Sequence, residues 1–360
     1  MTNILVTGSG GSGGISFIRA LRLAQQQKNI PIYIACTDHN PHLLRFPDTD
    51  TRYHSPRHDD PTFIPLLQKI IQTHKIDFLH PHPSSEAQVV SQNLTQFNNV
   101  KTYLPQPNAI MPDKLFIHNA LLAKGVRVPK TIEVSSFQDI EQAFSRIGAP
   151  LWIRARRGAG GRLGLKVSDA QQARLWVELN VSQGRSRVSD FVIQEFLPGR
   201  DLACDSLWYK GKLVTSYCRE RLEYFLKHIS LSGVTGTPTI ARTIVDQKIS
   251  RIGIESVKAL DLQPHGFYST DIKEDADGNP VVTEVDGKWH TTAPLWGYAF
   301  AKVFNKPELN LAYQYLKLAL LGETDGKLPT YDLFPANYLL VRQLDAGVIL
   351  EHEDKTWQVA

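Results

Sequence analysis

Apolar and polar positions change rhythm along this chain. Up to about Pro107, short apolar runs at Ile4 to Thr7, Ile30 to Thr37 and Ile76 to Leu79 alternate with amphipathic stretches at Ile15 to Gln26, Phe63 to Thr73 and Ser85 to Leu94. Strand and helix in alternation predict a parallel, doubly wound α/β sheet. The Pro105-Gln-Pro107-Asn stretch interrupts that rhythm and marks a boundary. A lobe of mixed helix and strand follows to about Val192. Beyond it lie a helix at Asp246 to Leu260, two β-rich runs around Asp275 to Pro280, and a helix at Leu309 to Leu321. A last strand pair, Tyr338 to Arg342 and Gly347 to Glu351, is expected to pack back on the protein. The expected units are 1–107, 108–192, 193–325 and 326–360.

The second β-rich pair carries chemistry. Asp271 ends the run Gly266-Phe-Tyr-Ser-Thr-Asp271, and Glu284-Val-Asp286-Gly-Lys288 follows the turn sequence Asp275-Ala-Asp-Gly-Asn279-Pro280. The segment reads as a hairpin. Glu284 and Asp286 then point to one face, and Asp271 can lie opposite them. Such a carboxylate face suits a hard cation that shares its shell with phosphate oxygens, and Lys288 lies two further along the same face.

Two more segments fit a nucleotide. Pro150-Leu-Trp-Ile-Arg154 leads through Gly158, Gly160, Gly161 and Gly164 into Leu165-Lys166-Val167, a strand, a glycine-rich loop and a strand. Glycine lets backbone N–H groups approach a phosphate chain, and flanking cations neutralise it. Phe191-Val-Ile-Gln194-Glu195-Phe-Leu197 then runs as an apolar strand into a turn before Asp201. Backbone groups at such a strand end can pair with a purine edge while a carboxylate takes ribose hydroxyls.

The order of these elements resembles the ATP-grasp family from Asn3 to about Gly322. The Asp113-Lys114 pair that opens a helix, and Gly125-Val-Arg-Val-Pro129 at its end, match the start of the family's domain. The resemblance implies a Rossmann-like parallel sheet followed by a two-lobed α+β ATP-grasp domain. It also implies Mg-ATP as cofactor, with two Mg²⁺ ions and Mn²⁺ as an acceptable substitute. Lys114 and Arg154 become phosphate contacts, with Gly158, Gly160 and Gly161 as the lid over them. The arginine at 154 is similar to the carbamoyl phosphate synthetase branch, one catalytic half of whose large chain this sequence resembles. Gln194, Glu195 and Leu197 would hold adenine, Asp201 the ribose, and Asp271, Glu284 and Asp286 the metal ions. Two positions depart from the family's Glu-x-Asn-x-Arg ending. Asp286 keeps an oxygen ligand, whereas Lys288 keeps the charge and loses the guanidinium fork. The loop from Tyr224 to Arg242 matches the one that lines the γ-phosphate site, which makes His228 and Arg242 catalytic candidates beside Lys288. The implied reaction is a carboxylate–amine ligation through an acyl phosphate, with small-molecule substrates and a homodimer as the assembly considered. An ATP-binding partner protein without turnover is the alternative.

The N-terminus supports a third reading. Gly8-x-Gly10-x-x-Gly13 between a strand and a helix, with Asp38 after the next strand, is the dinucleotide fingerprint of an NAD(P) oxidoreductase. In ATP-grasp proteins a similar turn serves substrate binding or structure. His39, His42, His54, His58, His74, His80 and His82 cluster in the same unit and read as solvated loop residues, because no cysteine or zinc-type spacing accompanies them. The carboxyl edge of this sheet, at Asp38 to Asn40 and His80 to Glu86, could dock an acceptor substrate.

Composition narrows the classes further. With 360 residues and 42% hydrophobic content the chain can build two or three packed domains. A net charge of +4, spread without a basic block, argues against nucleic acid or an anionic membrane as partner. Cys36, Cys204 and Cys218 read as reduced core residues. No leader pattern follows Met1, and no apolar run approaches about 20 residues, so a cytoplasmic protein is expected.

Overall fold

The computed structural model describes residues 1–158, 161–233, 236–343 and 347–359. Three sheets organise it. The first, entirely parallel, has the order β3-β2-β1-β4 and comprises β1 (Thr2–Thr7), β2 (Ile32–Asp38), β3 (Thr51–His54) and β4 (Phe78–Pro81). Helices α1 (Ser12–Lys28), α2 (Phe63–His74) and α3 (Ser84–Gln92) connect the strands. The unbroken apolar character of β1 has a direct cause. Ile4 and Val6 enter a core with Phe17 and Leu21 of α1, while Leu5 enters the opposite core with Leu67 and Ile70 of α2, so both faces are covered.

The second sheet, order β5-β8-β6-β7, is antiparallel: β5 (Thr131–Glu133), β6 (Leu151–Ala155), β7 (Leu165–Val167) and β8 (Phe191–Glu195). Helix α4 (Lys114–Leu122) precedes it. Helices α5 (Phe137–Ile147) and α6 (Ala170–Ser182) cover one face. Leu151 and Ile153 pack beneath those helices, so the alternating residues Trp152 and Arg154 turn to the other face, which opens on a cleft.

The third sheet has eight strands in the order β13-β12-β9-β10-β11-β14-β15-β16. It runs through β9 (Asp201–Tyr209), β10 (Lys212–Tyr224), β11 (Pro238–Ile244), β12 (Gly266–Glu274), β13 (Pro280–Asp286), β14 (Leu339–Gln343), β15 (Gly347–His352) and β16 (Lys355–Gln358), so the expected C-terminal strand pair gains a third strand and extends this sheet. Helix α7 (Gln247–Leu260) buries Ile249 and Val257 against Leu202, Cys218 and Ile272 on one face. The other face carries the cleft.

Two features depart from the sequence reading. Helix α8 (Ala293–Phe304) was not foreseen; every residue from Ala293 to Ala301 is buried, and a helix apolar all round lacks the period that signals one. With α9 (Leu311–Leu321) it packs on α1, where Trp296, Tyr315 and Leu316 join Phe17 and Leu21 in one core. The first-domain histidines are not uniformly solvated either. His80, on β4, is 1% exposed and stacks on Phe17 at 3.8 Å, and His74 hydrogen-bonds the Tyr33 and Tyr53 hydroxyls.

Candidate active site

A cavity of about 650 Å³ lies between the open face of the second sheet and the cleft face of the third. Strand parity decides what enters it. In the β12–β13 hairpin Asp271 pairs with Glu284 and Ser269 with Asp286, with an irregularity after Asp271 where Thr283 is extra. The three carboxylates thus share one face, and all line the cavity. From the second sheet come Arg154 and the described glycines of the loop, Gly158 and Gly161; Gly160 lies outside the described residues. Lys114, Gln194, Glu195, Leu197, Asp201 and Lys288 line the same cavity.

Each hairpin carboxylate meets a cation. Arg154 donates to Glu284 Oε2 at 2.6 Å, and the buried Lys114 Nζ lies 3.9 Å from the same oxygen while donating to the Gly158 carbonyl at 2.7 Å. Lys288 pairs with Asp286 at 2.7 Å, and the other Asp286 oxygen accepts from the Met111 backbone at 2.9 Å. Arg221 donates to Asp271 at 2.5 Å. Burial alone would raise the carboxyl pKa values, yet Arg221 and His290 hold Asp271 well below the usual range, and Lys114 and Arg154 lower Glu284. Burial lowers Lys114 to about 8 against the pull of Glu284. Lys288, also buried, is raised to about 12 by Asp286 and Glu284. The cleft is a nearly balanced field of opposite charges, not a patch of one sign.

The other end of the cavity, at Gln194 to Asp201, is built differently. Glu195 turns its carboxylate to Arg127, which grips both oxygens at 2.8 and 2.9 Å, and accepts from the Lys130 backbone at 3.1 Å. Its side chain is therefore committed, and its backbone N–H donates to the Lys130 carbonyl at 2.9 Å. Gln194 donates to Thr131 at 3.0 Å. Asp201 accepts from Tyr224 at 2.8 Å and Arg221 at 3.3 Å.

Arg221, Tyr224, Lys273, Trp289 and His290 line the cavity too, and sequence reasoning missed them. A signal existed in Arg219-Glu-Arg221, two arginines at strand spacing before a residue run that continues the strand. Behind the cleft Asp205, fully buried, binds Arg219 and accepts from His290 Nδ1 at 2.7 Å, and His290 Nε2 lies 3.1 Å from Asp271. Arg219 and His290 hold Asp205 far down despite its burial. His290 is thereby fixed from behind and positions Asp271.

His228 and Arg242 are not brought to this cleft. Arg242 pairs across the sheet with Glu220, which lies opposite Leu202, and Leu202 packs beneath α7; that parity puts Arg242 on the far face, where it holds Glu220 at 2.6 Å. His228 is exposed on the loop after β10, of which Ser232, Gly236 and Thr237 reach the cavity.

The N-terminal glycine turn is closely packed by the chain itself at three positions. A side chain at Gly8 would meet Pro83 Cγ at 2.0 Å, at Gly10 Leu43 Cβ at 2.6 Å and at Gly13 His82 Nε2 at 2.2 Å. Asp38 accepts from the Gly10 and Asn40 backbones, both at 2.8 Å. The fingerprint residues are spent on internal packing, which removes the ground for the oxidoreductase reading.

No family model matches the chain. A probable alpha-L-glutamate ligase of Xanthomonas euvesicatoria pv. vesicatoria (strain 85-10) is 29% identical over 201 residues, 54% of this chain and 63% of that protein, so the match spans less than two thirds of the relative. Among solved structures, the L-amino acid ligase of Bacillus licheniformis superposes with a TM-score of 0.67 at 14% identity over 94% of this chain and 79% of that one. The biotin carboxylase domain of Hydrogenobacter thermophilus 2-oxoglutarate carboxylase, in complex with MgADP, ADP and bicarbonate, gives 0.67 at 12% identity over 95% and 74%. The architecture is the ATP-grasp fold, as the sequence led us to expect.

Proposed function

We propose that the chain is an ATP-dependent carboxylate–amine ligase acting through an acyl phosphate. One observation carries the reading: a single cleft unites a glycine loop, the cations Lys114, Arg154, Arg221 and Lys288, and the carboxylates Asp271, Glu284 and Asp286. The donor chemistry fits Mg²⁺, since all three are oxygen ligands on one sheet face and Asp271 and Glu284 are held ionised. Among the described residues no three His, Cys, Asp or Glu side chains converge as a cation cage, because each of these carboxylates rests on an arginine or lysine. Asp271, Glu284 and Asp286 would hold the ions, two in the proposal with Mn²⁺ able to replace Mg²⁺. Magnesium, when bound, neutralises the phosphate chain and polarises the group transferred.

The residues of the chain do the rest by position and charge. Gly158 and Gly161, at φ of 98° and 70°, let the loop lay its backbone over phosphates. Arg154, Lys114 and Lys288 give up carboxylate partners for phosphate oxygens. Arg221 takes the place that the sequence reading gave to Arg242, and His290 that of His228, as groups that reach the cleft. A substrate carboxylate attacks the terminal phosphoryl group, ADP leaves, and an amine displaces phosphate from the acyl phosphate with loss of a proton. No covalent enzyme intermediate is required. The name of the Xanthomonas relative supports an amino-acid substrate, and Arg154 keeps the likeness to one half of the carbamoyl phosphate synthetase large chain within the proposal. The setting is proposed to be cytoplasmic and the assembly a homodimer; no helix among the described residues is long and apolar enough to cross a membrane.

A screen of carboxylates against amines, read as ADP and phosphate release, tests the assignment. ADP formation that needs both partners is expected. Stabilisation by NADPH but not Mg-ATP would overturn it, and intact Mg-ATP binding with a silent screen would leave a nucleotide-binding partner protein.

A further inference from the structure

A second cavity, of about 300 Å³, opens at the carboxyl ends of the parallel strands. Its wall is contributed by the ends of all four: Gly8 and Gly11 after β1, Asp38 and His39 at the end of β2, Arg57 and His58 after β3, and Pro83, Ser85 and Glu86 after β4. In the order β3-β2-β1-β4 the connections reverse direction between β1 and β4, and open α/β sheets bind ligands in the crevice at such a point. Pro83 borders both cavities, so the small one backs onto the large.

One group in it is unpaid for. Glu86 is 5% exposed, and its Oε2 has no hydrogen-bond partner. A buried carboxyl oxygen in that state costs on the order of 1–3 kcal/mol. Burial, with Asp38 nearby, raises it to about 7, so an arriving cation can draw out its charge near neutrality. The neighbouring Asp38 is already satisfied by two backbone N–H groups, which leaves Glu86 as the open acceptor on the floor. The rim has the opposite character. Arg57 is 65% exposed with only Asp59 beside it at 3.3 Å, and His58 stands next to it. Helix α3, nine residues long, begins here at Ser84 with no side-chain cap, so its first N–H groups favour an anion.

The occupants that this chemistry rejects are as informative. A pyrophosphate would face the carboxyl groups of Asp38 and Glu86. A metal ion finds no trio of ligands among the described residues. An acidic floor and a cationic rim across a small cavity match a zwitterion.

We propose that this cavity is a binding site for a free α-amino acid, whose ammonium group bonds to Glu86 and whose carboxylate lies against Arg57 and the start of α3. It is argued from this cavity alone and stands whether or not the ligase reading holds. Calorimetry on the full chain without nucleotide, with the protein amino acids added one at a time, is the test. At least one is expected to bind, its N-acetyl derivative is not, and Glu86→Gln should weaken binding by about tenfold or more. Arg57→Ala, at an exposed position where the fold is expected to be retained, should weaken it as well and decides the matter if Glu86→Gln fails to fold. Absence of binding by every amino acid, or binding that survives both substitutions, overturns the proposal. A failure of the ligase reading is separate, because it shows as missing Mg-ATP binding.

Discussion

The cleft between the second and third sheets and the carboxyl edge of the first sheet use the same materials to opposite ends. Both combine a glycine-rich turn with acidic side chains. In the cleft Gly158 has open space, with only the flexible Arg162 side chain 3.7 Å from where a Cβ would sit, and every hairpin carboxylate has a cation that a ligand can displace. At the sheet edge the glycines are pressed against Pro83, Leu43 and His82, and Glu86 is buried with an oxygen unsatisfied. Glycines therefore stand open in one place and are closely packed in the other, and spacing alone does not tell which. What separates them is the room around the backbone.

The largest effect expected is in the cleft. Glu284→Gln and Asp271→Asn should each cut ADP release on the order of a hundredfold or more with the fold retained on circular dichroism, because each removes an anionic oxygen from the proposed metal-binding face of the hairpin. Near-normal turnover in both would make the hairpin a solvated element. Lys288→Ala should follow, costing about 2.7–4 kcal/mol in transition-state stabilisation as a lost donor to the transferred group, while Asp286→Asn keeps a carbonyl oxygen and much of the activity. Steady-state kinetics on the two variants separates these outcomes.

A paired glycine experiment tests the contrast itself. Gly10→Ala drives a Cβ onto Leu43 and should destabilise the chain by about 1–3 kcal/mol in denaturant unfolding, with nucleotide affinity unchanged in what remains folded. Gly158→Ala should cost about 1 kcal/mol of backbone strain but weaken Mg-ATP binding more than Gly10→Ala does. The reverse pattern would exchange the roles of the two turns.

Glu86 gives a stability signature at the sheet edge. Its folded carboxyl is raised from 4.5 to about 7, so between those values the folded chain keeps a proton that the unfolded chain has released. Stability tied to this group falls as pH rises through that window and levels off above it, by on the order of 3 kcal/mol. Glu86→Gln lacks the titration and should gain on the wild type over the same range in urea melts; parallel pH profiles would count against the burial argument. The smallest effect is reserved for Arg242→Ala. Its partly exposed pair with Glu220 lies on the far face of the sheet, and the change should leave kcat within about twofold and stability within about 1 kcal/mol.

Much of this was legible in the chain. Period-two and period-3.6 patterning located the parallel sheet, α7 and the β12–β13 hairpin, because local burial demands write themselves into local sequence. Lys114, Arg154, Gly158, Gly161, Gln194 to Leu197, Asp201 and the paired acids, singled out by the order of their motifs, line one cavity. Helix α8 escaped because burial on all sides erases its period, and Arg242 was misplaced by one step of strand parity, which no composition reports. Arg221 and His290 were invisible as partners because Asp205, Arg221 and Asp271 come from separate strands and His290 from the loop after β13, and they meet only when β9, β10 and β12 lie side by side. The sequence by itself determined which elements form and which residue types face a ligand. Which glycines stand open, which carboxylates find a cation, and which one is buried without a partner depended on contacts between segments far apart in the chain, and only the tertiary structure decides those.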